Sequence, residues 1–151
     1  MKYDDVPETI AQLYEDLKKK HFPYLANAKI LFLANKKKMV KKGRIVLGKC
    51  VKPSDLLRYL SRHEAPDEGY DFIILLDNKL MQHCEESDIE RVLRHELRHI
   101  FFDSDSKNPY SLIDHDFTDF MDEVELNKDD PNWANRVART VSLIYEQEKD
   151  Q

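Results

Sequence analysis

Cysteine is scarce in this chain: Cys50 and Cys84 are the only two in 151 residues, and they form no CxxC pair. That excludes a disulfide framework and a cysteine-rich zinc ribbon, and it suits a reducing compartment where both thiols stay free. Glycine and proline are also few, at 3 and 6, which argues against a low-complexity or loop-dominated protein. No apolar run approaches the roughly 18 residues that would cross a bilayer. The opening Met1-Lys2-Tyr3-Asp4-Asp5 is acidic and lacks the apolar core of a signal peptide. The expectation is a soluble, cytoplasmic protein with no membrane partner.

What is present is a globular but strongly solvated composition, 41% hydrophobic and 35% charged. The length fits one domain over residues 1–151, and a chain of this size buries roughly two-thirds of its unfolded surface without staples. Net charge is −5 but unevenly spread. The run Lys36 to Arg44 (KKKMVKKGR) holds six basic residues and no acid, whereas residues 114–130 are acidic. The ordinary reading of the basic run is a solvated hairpin loop; the sharper one is an arm making weak contact with DNA phosphates.

Periodicity places a helix from about Val6 to Lys20, with Ile10, Leu13, Tyr14 and Leu17 on one apolar face. Ala28–Ala34 and Arg44–Cys50 read as two strands, joined by the basic segment as a long hairpin. Ser54 caps a short helix through Arg62 whose buried side is Leu56, Leu57 and Leu60. Asp71–Leu76, the most apolar run, is the candidate central strand. Ser87-Asp88-Ile89-Glu90 reads as a capping box opening a helix to about Phe102. Helices follow over Phe117–Leu126 and from near Pro131, the last packing through Trp133, Val137, Val141 and Ile144. This order implies an α+β domain, with a small sheet of about three strands packed against helices.

The chemistry-bearing segment is Arg94-His95-Glu96-Leu97-Arg98-His99, an HExxH motif. Histidines four apart stand one above the other on a helix, so both imidazoles reach one zinc ion. Glu96 sits beside that face, where a carboxylate can act as general base on a metal-activated water. The departure from the usual pattern is Arg98, since the position before the second histidine is ordinarily uncharged. Arg91, Arg94 and Arg98 form a stripe offset from the histidines, read as a solvated face.

A catalytic zinc takes a third protein ligand. His115 is the only histidine downstream, 16 residues after His99, and Asp114 and Asp116 flank it. It is the favoured ligand; Glu123 and Asp119 are the alternatives. His21 and His63 lie near helix ends, His83 has no partner spacing, and Cys84 reads as a small apolar residue. Tyr110 borders the segment leading to His115 and is a weaker candidate for an oxyanion donor.

The ordered set RIVLGKC, LLRYL, YDFIILLD, RHELRHI and DHDFTDF, with a tryptophan-bearing last helix, resembles the phage metallopeptidase family, a relative of SprT-like zincins. The resemblance spans about Ala28 to Tyr145. It implies a minimal zincin fold, with His95, His99 and His115 as zinc ligands and Glu96 as base. It also implies a phage or prophage origin, hence a bacterial or phage-infected host cytoplasm. The expected function is hydrolysis of a restricted protein or peptide substrate. Two other classes stay open: a non-catalytic zinc-containing module that binds protein or DNA, and a nucleic-acid-associated protein using KKKMVKKGR.

Overall fold

The computed structural model describes residues 1–65, 68–114 and 119–149. Its elements are β1 (Tyr3–Asp5), α1 (Glu8–His21), a 3₁₀ turn (Pro23–Leu25), β2 (Ile30–Asn35), β3 (Met39–Lys41), β4 (Arg44–Val46) and β5 (Gly48–Val51). They continue with α2 (Asp55–Ser61), β6 (Phe72–Asp77), α3 (Asn78–His83), α4 (Glu86–Leu97), β7 (Ile100–Phe102), β8 (Tyr110–Leu112), α5 (Met121–Leu126) and α6 (Trp133–Lys149). The architecture is α+β, as the order of apolar patterns implies. Among the described residues no helix is long and apolar enough to cross a membrane.

The main sheet has four strands in the order β1-β2-β6-β5 rather than three. The most apolar run is central: β6 pairs in parallel with β2 and antiparallel with β5. The long hairpin expected between Ala28–Ala34 and Arg44–Cys50 does not form: the second run splits into β4 and β5, which join different sheets, and β6 lies between β2 and β5. A strand with apolar residues on both faces is better satisfied inside a sheet than at its edge. The basic segment instead folds on itself. β3 and β4 pair across the two-residue turn Lys42-Gly43, and both turn residues have positive φ, 51° and 76°. That backbone matches the twist of a tight hairpin.

Alternation along β6 sorts its side chains. Phe72, Ile74 and Leu76 enter one core with Ile10, Leu13, Tyr14 and Leu17 of α1, with Val92, Leu93 and Leu97 of α4, and with Trp133, Val137, Val141 and Tyr145 of α6. The other face carries α2, and here the sequence reading is corrected. Leu56, Leu57 and Leu60 are 68%, 42% and 61% exposed rather than buried. The helix is held by its polar side: Ser54 Oγ accepts from Leu57 N at 3.2 Å, and Arg58 reaches Asp71 and Glu68 at 3.3 and 3.4 Å. Gly69 permits that approach, since a Cβ there would lie 2.0 Å from the Arg58 carbonyl oxygen. Leu57 and Leu60 line a shallow groove with Leu31 and Ile73.

Helix α4 differs at both ends from its sequence reading. Its N-cap is Glu85, with no side-chain cap bond, so Ser87 lies inside the first turn and the capping box does not form. Asp88 has another task. It is 3% exposed and receives Arg91 at 2.9 Å and both Arg136 amino groups at 2.9 and 2.8 Å, tying α4 to α6. At the other end the helix stops at Leu97, and Ile100–Phe102 becomes β7. A β-branched residue followed by two aromatics suits a strand.

Candidate metal centre

The centre assembles where α4 ends. His95 and Glu96 belong to the last helical turn. The Arg98 and His99 amides still reach back to the Arg94 and Glu96 carbonyls, at 3.1 and 3.2 Å. The helical curl thus carries His99 round to the face of His95, even though helix proper has ended. The ring centroids lie 5.4 Å apart, and ligand atoms of His95, Glu96 and His99 all fall within 4.8 Å of one another.

Each imidazole is oriented from behind. His95 Nδ1 is 2.8 Å from Asp119 Oδ1, and His99 Nδ1 is 2.7 Å from the Ile113 carbonyl oxygen. A carbonyl or carboxylate oxygen only accepts, so Nδ1 carries the proton and Nε2 is the lone-pair nitrogen. A pair of such nitrogens beside a carboxylate is a donor set that fits a divalent metal. Phe120, 4% exposed, packs edge-on against both rings, at 5.4 and 5.1 Å between centroids. Burial alone would lower the His95 pKa, but the Asp119 bond and the charges of Glu96, Asp119 and Glu123 hold it above the ordinary value.

Glu96 is 7% exposed. Burial raises its carboxyl pKa against the opposing pull of His95, His99 and the Cys50 amide, which donates to it. That amide comes from β5, and Gly48 lets the strand lie close: a Cβ at this position would press on Glu96 Cγ at 3.0 Å and Val92 Cγ1 at 3.1 Å. Cys50 itself, half-buried nearby, has its thiol pushed up to about 12, by desolvation first and by Glu96 second. Both His95 and Glu96 open onto a cleft of about 580 Å³ between β4–β5 and α6.

The arginine stripe is not a solvated face. Arg94 is 7% exposed and Glu123 fully buried. Arg94 Nε donates to Glu123 Oε1 at 2.7 Å, Arg98 Nε donates to Oε2 at 2.9 Å, and Arg94 also reaches Asn127 Oδ1 at 2.6 Å. Arg91 pairs with Asp88 and Asp129. Helical spacing identified the stripe, but what it faces is α5, brought back against α4 from a distant point in the chain.

This arrangement bears on the third ligand. Glu123 has both oxygens on guanidinium groups, and Asp119 directs Oδ1 at an imidazole nitrogen. His115 lies outside the described residues. Tyr110 is turned elsewhere: its hydroxyl points to the Tyr24 carbonyl oxygen, 3.5 Å away, and its ring packs on Phe72 and Phe102. Sequence reading missed Phe120, the Cys50 amide and the Arg94–Glu123–Arg98 clamp. The unusual charge at Arg98 was the one available signal for the last of these. Replacing Asp119 by Asn is expected to weaken metal affinity about 10- to 100-fold, as measured by competition with a chromogenic zinc chelator.

The fold and the His–Glu–His cluster define an α+β protein with a candidate metal centre open to a cleft. A family model described as "Putative phage metallopeptidase" matches residues 2–145, nearly the whole chain, and the chain belongs to that family. No curated protein and no solved structure shows significant similarity to it.

Proposed function

We propose that the protein is a zinc-dependent peptide hydrolase in which His95, His99 and His115 hold the metal and Glu96 is the general base. The observation that carries this reading is the pairing of two imidazoles, each with Nδ1 tied to an acceptor, with a buried carboxylate that opens to the cleft. A bound zinc ion supplies Lewis acidity toward water and the scissile carbonyl. The Glu96 carboxylate takes the proton of the attacking water and returns it to the departing amine nitrogen. The Cys50 amide fixes the carboxylate, and its burial keeps its basicity above that of a solvated glutamate. Asp119 and the Ile113 carbonyl keep both imidazoles in the ligating tautomer.

A non-catalytic zinc module would close its metal with a fourth protein ligand; the open cleft beside His95 and Glu96 favours catalysis. Kinship with SprT-like zincins and a restricted protein substrate belong to the same proposal, as does a single-domain organisation. The test is metal content of the purified protein with its His95→Ala and His115→Ala variants. One zinc per chain, lost in both variants, is the expected result. Zinc retained in His115→Ala would remove that residue from the ligand set, and a wild type that takes up no zinc would sink the reading. Peptide hydrolysis should also disappear with a zinc chelator and return when zinc is restored.

A further inference from the structure

The cleft has two walls that the reaction itself leaves without a task. One is the β3–β4 hairpin, which brings Arg44 to the rim, and the other is α6, which packs against β4 and brings Arg139. Most arginines of the chain are engaged. Arg58 binds Glu68 and Asp71, Arg91 binds Asp88 and Asp129, Arg94 and Arg98 bind Glu123, and Arg136 binds Asp88 and Asp130. Arg62 lies over the Tyr59 ring at 3.9 Å. Arg44 and Arg139 are the two that remain, and among the described residues neither guanidinium has a carboxylate or ring partner. In a chain where acids outnumber bases 29 to 24, both unpaired guanidiniums border the same cleft.

The hairpin adds an independent sign. Lys41 stands directly opposite Arg44 in the ladder, and like charges facing each other across strands destabilise a hairpin. A bound anion would relieve that repulsion. Its place is the rim, where both guanidiniums stand. With a divalent metal bound, the two charges of Glu96 and Asp119 are offset, and the hydrolase reading puts an uncharged peptide bond on the floor of the cleft. A polypeptide can present an isolated carboxylate at the rim and a neutral peptide bond below it.

We propose that the cleft selects polypeptide segments with an acidic side chain flanking the scissile bond, gripped by Arg44 and Arg139. This rests on the peptide-hydrolase reading and names the substrate class of that site. Guanidinium forks from two elements suit a carboxylate, which accepts paired N–H bonds in a plane.

The test uses zinc-loaded Glu96→Gln protein and fluorescein-labelled Glu/Ala, Gln/Ala and Lys/Ala peptides, with binding read by anisotropy. Metal-free wild type serves as a second host should that variant misfold. The Glu/Ala peptide is expected to bind tightest. Its affinity should fall about five- to twentyfold in Arg44→Ala/Arg139→Ala and recover only in part in Arg44→Lys/Arg139→Lys, which restores the charge but not the fork. Equal binding of the Glu/Ala and Gln/Ala peptides, or an unchanged affinity in the double alanine variant, would overturn the proposal. So would a DNA duplex that binds more tightly through the same two arginines. Hydrolysis by zinc-loaded wild type is read separately. Arginine-dependent binding of the Glu/Ala peptide without its cleavage would count against the hydrolase and for acidic recognition.

Discussion

Glu96→Gln is expected to lower peptide hydrolysis about 10²- to 10⁴-fold, the usual contribution of a general base, while zinc content stays at one per chain. The substitution is nearly isosteric, so the close approach of Gly48 is kept. The amide oxygen can still accept the Cys50 N–H. What is lost is the ability to hold a proton between water and the leaving amine, and the negative charge beside two imidazoles. Since Nε2 of His95 and His99 is fixed by bonds at Nδ1, metal binding is expected not to depend on Glu96. The measurement is kcat and zinc stoichiometry on the same preparation. Full activity in a zinc-loaded Gln variant would sink the mechanism; loss of zinc together with activity would make Glu96 a ligand rather than a base.

The parts of this site that were legible lie within one turn of chain. His95, Glu96 and His99 are neighbours by helical geometry, and any continuous curl brings them together, including the non-helical step at Arg98. The groups that orient them come from elsewhere. Asp119 and Phe120 come from just before α5, Ile113 from just after β8, and the Cys50 amide from β5. No local pattern marks an amide or a carbonyl as a partner of a distant side chain. The fold divides in the same way. Phe72–Leu76 announces a central strand by its unbroken apolar run, but local pattern does not say which strands flank it. Hence Arg44–Cys50 reads as one strand paired with β2, whereas it breaks at Leu47 into β4 and β5, and neither pairs with β2. Leu56, Leu57 and Leu60 carry the spacing of a buried face, yet Arg58 anchors α2 through the opposite side. Ile100–Phe102 continued an apolar periodicity past the true helix end, where aromatic and β-branched residues favour β7.

The largest stability effect should come from Glu123. Its side chain is fully buried and bridges Arg94 and Arg98. Changing it to Ala leaves two guanidiniums facing an empty pocket, one of them on a residue only 7% exposed. Removing one partner of a buried ion pair costs about 3–5 kcal/mol, a large share of the roughly 5–15 kcal/mol that holds a domain of this size together. The urea midpoint should fall accordingly, with the slope of the transition unchanged. The loss is mainly that of uncompensated charge, so Glu123→Leu combined with Arg94→Met and Arg98→Met should recover much of it. A triple variant no more stable than Glu123→Leu alone would show instead that the ion cluster itself is worth its desolvation. The two cases differ at the metal as well. Helix α5 begins just after Asp119 and Phe120, which hold His95 and pack on His99. Glu123→Ala frees that helix from α4, so zinc affinity should drop along with stability. The triple variant, with an apolar contact in place of the clamp, should regain stability first and zinc affinity only as far as Asp119 is returned to the His95 ring.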